Sequence, residues 1–125
     1  MTLKDVLPQV RVQLEENIKR QLTGLQGLVA RPLYNSRMPL RLEMSTDHET
    51  FELTFLNDGD VRLSHGHSAS PDVRLESDAQ TLEELFRNPS PARFKEMESR
   101  NMIRIIACTP KGKDAEAYIR RYLAA

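Results

Sequence analysis

Residues 50–65 read Thr-Phe-Glu-Leu-Thr-Phe-Leu-Asn-Asp-Gly-Asp-Val-Arg-Leu-Ser-His, and this stretch decides the fold. Apolar residues recur with period two on both sides of the glycine, which predicts two half-buried strands joined in a hairpin. A two-residue Asp58-Gly59 turn would place Phe55 opposite Arg62 and mix the two faces. A three-residue loop, with Gly59 in the left-handed conformation as a bulge, keeps the faces separate. The register of that loop pairs Phe55 with Val61, Leu53 with Leu63, and Phe51 with His65.

Length and composition exclude several classes of protein. A chain of 125 residues predicts one domain, residues 1–125, with room for a real hydrophobic core. The 18 basic and 18 acidic residues cancel, and the basic ones are scattered, so no nucleic-acid partner is expected. The single cysteine, Cys108, cannot form an internal disulfide and favours a reducing compartment. No signal peptide or membrane span is recognisable, which predicts a cytoplasmic protein.

The first segment is predicted to be one amphipathic helix that leads the chain over residues 1–28. Its apolar residues step by three and four from Leu3 to Leu25. Pro8 suits only a first turn, so regular helix is expected from about Leu7. The prolines and polar residues between Ala30 and Pro39 predict a loop.

Residues 40–125 are predicted to form the sheet and its covering helices. Alternation predicts strands at 40–45 and 73–77 in addition to the hairpin, and residues 102–108 predict a fifth strand, apolar enough to be covered on both faces. Ser77 or Asp78 is suited to cap one helix, and Ser90 followed by Pro91 a second. A last helix is expected from about Lys113. The order predicts an α+β fold, with a five-stranded, mostly antiparallel sheet covered by helices.

Two histidines at the end of the hairpin are the first candidates for chemistry. His65 and His67 are two residues apart and share a side of the strand, and Glu49 is expected opposite His67. Such a set supplies ligands for a divalent metal or groups for acid–base catalysis. The alternative is a polar strand end whose imidazoles face water. No third ligand has convincing spacing, so neither a metal site nor catalytic residues are predicted.

Two further motifs are weak. Cys108 follows an isoleucine-rich strand, and we expect a buried structural thiol rather than a reactive one. Residues Pro110–Lys113 resemble a phosphate loop but lack its upstream glycine and its Ser or Thr after the lysine. They predict a solvated turn, with an anionic head group at the start of the last helix as the alternative.

The remaining candidate is apolar. Aromatic and methionine side chains of the strands and helices should line the space between sheet and helices. Close packing would make this set ordinary core, and incomplete packing would make it a ligand cavity. Both interpretations are open at this stage.

The order of motifs resembles the sterol carrier protein 2 family of lipid-binding domains. The resemblance rests on Phe51–Gly59 with Val61–Gly66, then Pro71–Asp78, then Leu82–Phe86. It continues through Ser90–Phe94, the strand Met102–Ile106 and the closing helix Gly112–Leu123. It covers about Leu40 to the C-terminus, and the leading helix agrees in kind.

That resemblance implies a fold and a function. The fold would enclose a hydrophobic tunnel for a fatty acyl, acyl-CoA, prenyl or sterol-like ligand, under the last helix as a lid. Neither catalytic residues nor a cofactor would take part. Carried onto this chain, the tunnel lining is Phe51, Leu53, Phe55, Leu63, Phe86, Phe94, Met97, Met102, Tyr118 and Tyr122. A polar head group is expected near Arg104, Lys111, Arg120 or Arg121.

Two kinds of partner follow from these expectations. The main one is a hydrophobic small molecule or lipid, with a transient membrane or protein partner as a further option and no nucleic acid. The alternative function is that of an accessory or scaffold subunit in a lipid or quinone biosynthetic complex.

Overall fold

The computed structural model describes residues 2–67 and 69–123, without the side chain of Tyr122. Its elements in chain order are α1 (Leu3–Gln21), α2 (Gly24–Asn35), β1 (Leu40–Ser45), β2 (Thr50–Phe55), a 3₁₀ turn (Asn57–Gly59), β3 (Val61–His65), β4 (Val73–Ser77), α3 (Ala79–Arg87), α4 (Pro91–Ser99), β5 (Ile103–Ala107) and α5 (Pro110–Leu123). The five strands form one sheet in the order β3-β2-β1-β4-β5. Only the central β1–β4 pair is parallel, so the predicted α+β class and mostly antiparallel sheet are confirmed.

The hairpin has the predicted register. Phe55 lies opposite Val61, Leu53 opposite Leu63, and Phe51 opposite His65. Both Asp58 (φ 62°) and Gly59 (φ 86°) are left-handed in the turn. A Cβ on Gly59 would lie 2.8 Å from Lys19 Cγ, so glycine also permits the close approach of α1 to this turn.

The prediction of a single leading helix over residues 1–28, followed by a loop, is wrong. The helix breaks after Gln21, and a second helix runs from Gly24 to Asn35, through most of the predicted loop. Pro32 is tolerated because it lies on an exposed face, where water can satisfy the carbonyl that lost its partner. Pro8 is likewise exposed, and α1 begins at Leu3, where the backbone N–H of Thr2 donates to Asp5 Oδ2 at 3.1 Å.

Three expectations for the C-terminal third need correction. Strand β5 is not covered on both faces, since it is an edge strand on which only Ile103 is fully buried. Cys108 is exposed rather than buried, because it follows the end of that edge strand. Helix α5 begins at Pro110 rather than near Lys113, and the hydroxyl of Thr109 accepts a hydrogen bond from Gly112 N–H at 3.1 Å. The predicted N-caps Asp78 and Ser90 are confirmed.

The two faces of the sheet differ. One face carries the core, where Leu42, Met44 and Leu75 are almost fully buried beneath the helices. Helix α1 packs against α3 and β3, and α5 packs against β4 and β5. The opposite face is polar, and its buried centre is Glu43, which accepts a hydrogen bond from Arg74 Nε at 3.1 Å. An apolar site must therefore lie on the helical side.

Candidate functional site

An apolar cavity of about 220 Å³ lies between α1, α2, the sheet and α5. Each of these elements contributes apolar side chains to its wall: Ile18 from α1, Leu22 beyond it, Tyr34 from α2, Met38 before the sheet, Leu40 and Phe55 from the strands, and Ala115, Tyr118 and Ile119 from α5. Gln21, Arg37 and Asp114 also line it and are exposed, so they mark the side that reaches solvent. The site is thus apolar inside and charged at its rim.

The rim charges are already engaged. Arg37 Nη1 donates to Asp114 Oδ2 at 2.7 Å, which joins the chain after α2 to the first turns of α5. Lys111 Nζ donates to the carbonyl of Pro39 at 2.6 Å. These contacts hold the rim together, and both cations stay half-exposed or exposed.

Tyr34 is the polar group inside the cavity. Its hydroxyl is buried, and no described residue offers it a hydrogen-bond partner. Burial raises the pKa of Tyr34 to about 12, with smaller contributions from Tyr118 and Asp60. Burial also raises the pKa of Tyr118, so both phenols stay neutral and able to donate at ordinary pH.

A second, smaller void of about 30 Å³ lies deeper in the core. Phe55, Tyr118 and Ile119 line both this void and the larger cavity. Three side chains therefore stand between the two volumes. A continuous tunnel is not shown, and movement of these side chains is what would join the two spaces.

The histidines do not form a site. His65 lies 3.8 Å from Glu49 and stacks on Phe51, with ring centroids 5.0 Å apart. His67 contacts Glu43 instead of the expected Glu49, at 3.1 Å. Among residues 2–67 and 69–123, no group of three or more histidines, cysteines and carboxylates is placed to hold a metal ion. Each imidazole has its own carboxylate neighbour, which fits a polar strand end.

No protein-family model matches the sequence, and no curated protein matches it. Solved structures with a similar fold do exist. Palmitated SCP2L2 from Aedes aegypti aligns with 100% of this chain and 96% of its own, at 12% identity and a TM-score of 0.51. The UbiJ-SCP2 ubiquinone synthesis protein aligns over 80% of this chain and 84% of its own, at 14% identity and a TM-score of 0.47.

The chain has an SCP2-like fold. The sec-alkylsulfatase Pisa1 from Pseudomonas sp. also contains a similar region, at 13% identity and a TM-score of 0.48, covering 70% of this chain but only 13% of the sulfatase. At these identities the likeness concerns the fold alone. The predicted family resemblance is therefore confirmed at the level of architecture.

The structure of this SCP2-like chain divides the predicted tunnel residues into three groups. Phe55 and Tyr118 line the larger cavity, and Leu53 and Phe86 line the smaller one. Five others line neither of these two volumes: Phe51, Leu63, Phe94, Met97 and Met102. Phe94, for example, is buried with the Arg120 guanidinium 5.9 Å above its ring, whereas Met102 is exposed on the surface. The side chain of Tyr122 lies outside the described residues.

Of the four cations expected near a head group, only Lys111 lines the cavity. Arg120 pairs with Glu98 at 2.5 Å, and Arg104 lies 3.5 Å from Glu76 on the sheet. The residues missed by sequence reasoning come mainly from α1 and α2. Tyr34 and Met38 fell within the segment predicted to be a loop, and even a helical pattern there would have turned the aliphatic stripe from Leu25 to Leu33 inward and Tyr34 outward.

Proposed function

We propose that this chain binds an apolar, lipid-like molecule without catalysing a reaction on it. The observation that carries the proposal is the apolar cavity between α1, α2, the sheet and α5, with a charged rim on its solvent side. Helix α5 would act as the cover, since Ala115, Tyr118 and Ile119 form one wall of the cavity. Removal of apolar atoms from water contributes about 0.8 kcal/mol per methylene, so a dry cavity is enough for affinity.

The volume of the cavity limits the size of the ligands that can bind. A dry cavity of about 150 Å³ is enough for benzene in another protein, and drug-sized ligands use pockets of about 300–1,000 Å³. A volume near 220 Å³ suits one ring or a short length of chain. We therefore expect a fatty acyl or prenyl chain that enters end-on, rather than a whole sterol nucleus. The head group of an acyl-CoA would stay outside, beside Arg37 and Lys111.

A solved structure of similar fold supports this choice. The Aedes aegypti protein is described as palmitated, and its alignment covers this whole chain. An SCP2-like fold can therefore accommodate a long acyl chain. We propose that the present chain can also accommodate a lipid chain, and we do not propose that the lipid is the same.

A pair of alanine substitutions on α5 tests the proposal. Ala115 lines the cavity, whereas Ala117, two residues further along the same helix, is exposed. We expect Ala115→Leu to fill the cavity, to weaken binding of ethylbenzene in an NMR titration at least about tenfold, and to raise the free energy of unfolding by about 1 kcal/mol. Ala117→Leu is the matched control and should change neither property. Equal binding by both variants, or no binding by the wild-type protein, would contradict the proposal.

The alternative role, as an accessory or scaffold subunit of a lipid or quinone biosynthetic complex, stays a prediction. It requires a partner protein and does not require an occupied cavity. Native mass spectrometry of the purified chain distinguishes the two roles. A copurified lipid that Ala115→Leu removes would favour the carrier, and an empty cavity with a stoichiometric protein partner would favour the subunit.

A further inference from the structure

The hydroxyl of Tyr34 is unusual for a buried polar group. It is enclosed beside an apolar cavity, and none of the described residues lies within hydrogen-bond reach. Buried hydroxyl groups in folded proteins nearly always have a partner. The residue that follows Tyr34, Asn35, is anchored to the turn after β2 by two hydrogen bonds with Asp58, at 2.8 and 3.1 Å.

We propose that Tyr34 Oη donates a hydrogen bond to an uncharged oxygen carried by the part of the ligand that enters the cavity, the carbonyl of a ketone or ester or a hydroxyl group. This inference rests on the proposed function and makes it more specific. It assigns one polar anchor to a cavity whose other inner walls are apolar. The ligand class is then a neutral, oxygen-bearing lipid, oriented with its oxygen towards α2.

The charges around Tyr34 favour a neutral oxygen over a carboxylate. Asp60 acts on the Tyr34 phenol and is paired with Lys19 at 2.9 Å, so this pair gives the cavity no net positive charge for an anion. Arg37 is already paired with Asp114, and Lys111 donates to the Pro39 carbonyl. An ion placed in an apolar site without a countercharge loses its hydration without compensation, whereas a carbonyl needs a single donor.

Acetophenone and ethylbenzene form a matched pair of probes, since they differ only by a carbonyl in place of a methylene and each is the size of one ring. Their dissociation constants are measured by NMR titration with the wild-type protein and with Tyr34→Phe. We expect the affinity ratio of acetophenone to ethylbenzene to fall about 2- to 12-fold in Tyr34→Phe, the range expected for one net hydrogen bond. Ethylbenzene affinity serves as the control for the shape of the cavity and should stay within about twofold.

The outcomes separate the two proposals. If neither probe binds the wild-type protein, the proposed function fails. If both bind and Tyr34→Phe leaves their ratio unchanged, the cavity is a ligand site but the Tyr34 anchor is overturned. If the affinity ratio of acetophenone to ethylbenzene changes in Tyr118→Phe and not in Tyr34→Phe, the hydrogen-bond donor is Tyr118. If benzoate binds more tightly than acetophenone, the assignment of a neutral ligand oxygen is overturned.

A second, independent observation concerns the outer face of α2. Four large aliphatic side chains lie there, and their exposed fractions are 86% for Leu25, 74% for Leu28, 69% for Val29 and 65% for Leu33. The inner face of the helix carries Gly27 and the partly buried Ala30 and Tyr34. The usual amphipathic arrangement is thus reversed, with the larger apolar residues towards solvent.

We infer that this face, Leu25–Leu33, docks on the surface of an anionic phospholipid bilayer. The 26 residues between Glu16 and Glu43 contain no carboxylate, and they hold Lys19, Arg20, Arg31, Arg37 and Arg41. The ion pairs that Lys19 makes with Asp60 and Arg31 with Asp58 are half-exposed or exposed, so exchange for lipid phosphates costs little. An apolar helical face flanked by cations and free of acidic residues is typical of interfacial binding.

Two features favour a bilayer over a second copy of the chain. Each aliphatic side chain supplies about 100 Å² at most, so the face would bury about 400 Å² per protomer, half of the approximately 800 Å² per partner of a stable interface. The same helix also contributes Tyr34 to the cavity wall. A lipid leaving a bilayer beside α2 would therefore reach the cavity with little exposure to water.

Vesicle flotation tests this docking. Vesicles of phosphatidylcholine and phosphatidylglycerol at about 3:1 should carry the wild-type protein, and Leu25→Ser with Leu28→Ser should reduce the bound fraction at least about tenfold. Val12→Ser is the control, because Val12 is a 40% exposed aliphatic residue on α1. Loss in the control, or unchanged flotation of the double variant, would overturn the inference. If the wild-type protein does not float with vesicles and is a dimer, and the double variant is a monomer, the face binds a second copy of the chain.

Discussion

At the scale of single residues, Gly112 is the glycine with the closest backbone neighbour. A Cβ at this site would lie 1.9 Å from the carbonyl oxygen of Asp72. That carbonyl accepts a hydrogen bond from Cys108 N–H at 2.7 Å, so it cannot move away without opening the pairing of β4 with β5. Gly112 therefore allows α5 to pack directly on the start of β4.

We expect Gly112→Ala to lower the free energy of unfolding by about 2–3 kcal/mol, even though alanine is the better helix former by about 1 kcal/mol. Urea denaturation followed by circular dichroism measures the change. The neighbouring Lys113 is exposed, and Lys113→Ala is the control, expected within about 0.5 kcal/mol of wild type. A neutral or stabilising Gly112→Ala would show that the contact with Asp72 relaxes freely.

Tyr34 gives the chain a dependence on alkaline pH. Its folded pKa of about 12 lies above the ordinary 10.0, so the folded state holds the phenolic proton more tightly than the unfolded state. The stability that this supplies is fully present below about pH 10 and is lost as the pH rises towards about 12. Urea denaturation gives the free energy of unfolding at each pH. Between about pH 9 and pH 11 we expect this free energy to fall more for wild type than for Tyr34→Phe. The difference should be no more than about 1 kcal/mol, because the ring is only partly buried. Parallel curves for the two proteins would contradict this assignment.

At the scale of elements, the hairpin and α2 show what local pattern can and cannot predict. The hairpin register follows from period-two alternation and one loop length, both of which are local. Helix α2 fits its local signals only in part, because Pro32 argues against a helix, and the aliphatic spacing that favours one lies on the face turned to solvent. It is held by tertiary contacts instead, since Asn35 exchanges two hydrogen bonds with Asp58. Propensity could not reveal contacts between residues 23 positions apart.

The Asn35–Asp58 pair should therefore control the stability of α2. The Asn35 amide donates to Asp58 Oδ1, and its oxygen accepts from the Asp58 N–H. We expect Asn35→Ala to speed hydrogen exchange in α2 about tenfold while leaving β1 and β2 unchanged, because two hydrogen bonds of about 1 kcal/mol each are lost only locally. Leu33→Ala is the control, because the Leu33 side chain is 65% exposed on the same helix and both residues favour helix. Uniform acceleration throughout the chain would show that α2 unfolds only with the whole molecule.

At the scale of the whole molecule, the cavity is a product of assembly. Ile18 of α1 and Tyr34 of α2, near the start of the chain, meet Tyr118 of α5 there. Of the residues that line the larger cavity, Phe55 and Tyr118 were predicted for the tunnel and Lys111 for the head group. The others were missed because a void depends on how closely elements pack and not on their periodicity. The fold class could be predicted since it depends on the order of elements, whereas the site required the position of α2.

Ligand binding should therefore protect one side of the molecule. A ligand in the larger cavity contacts α2 and α5 but not α4, which lines neither volume. At about 100 times its dissociation constant, a ligand stabilises the folded state by about 2.7 kcal/mol, and local openings of the cavity wall are suppressed to the same degree. Hydrogen exchange with saturating acetophenone should slow in Tyr34–Met38 and in the first half of α5, with α4 as the internal control. Protection centred on α4 or on the polar face of the sheet would place the ligand elsewhere, because only groups that close around the occupant gain its binding free energy.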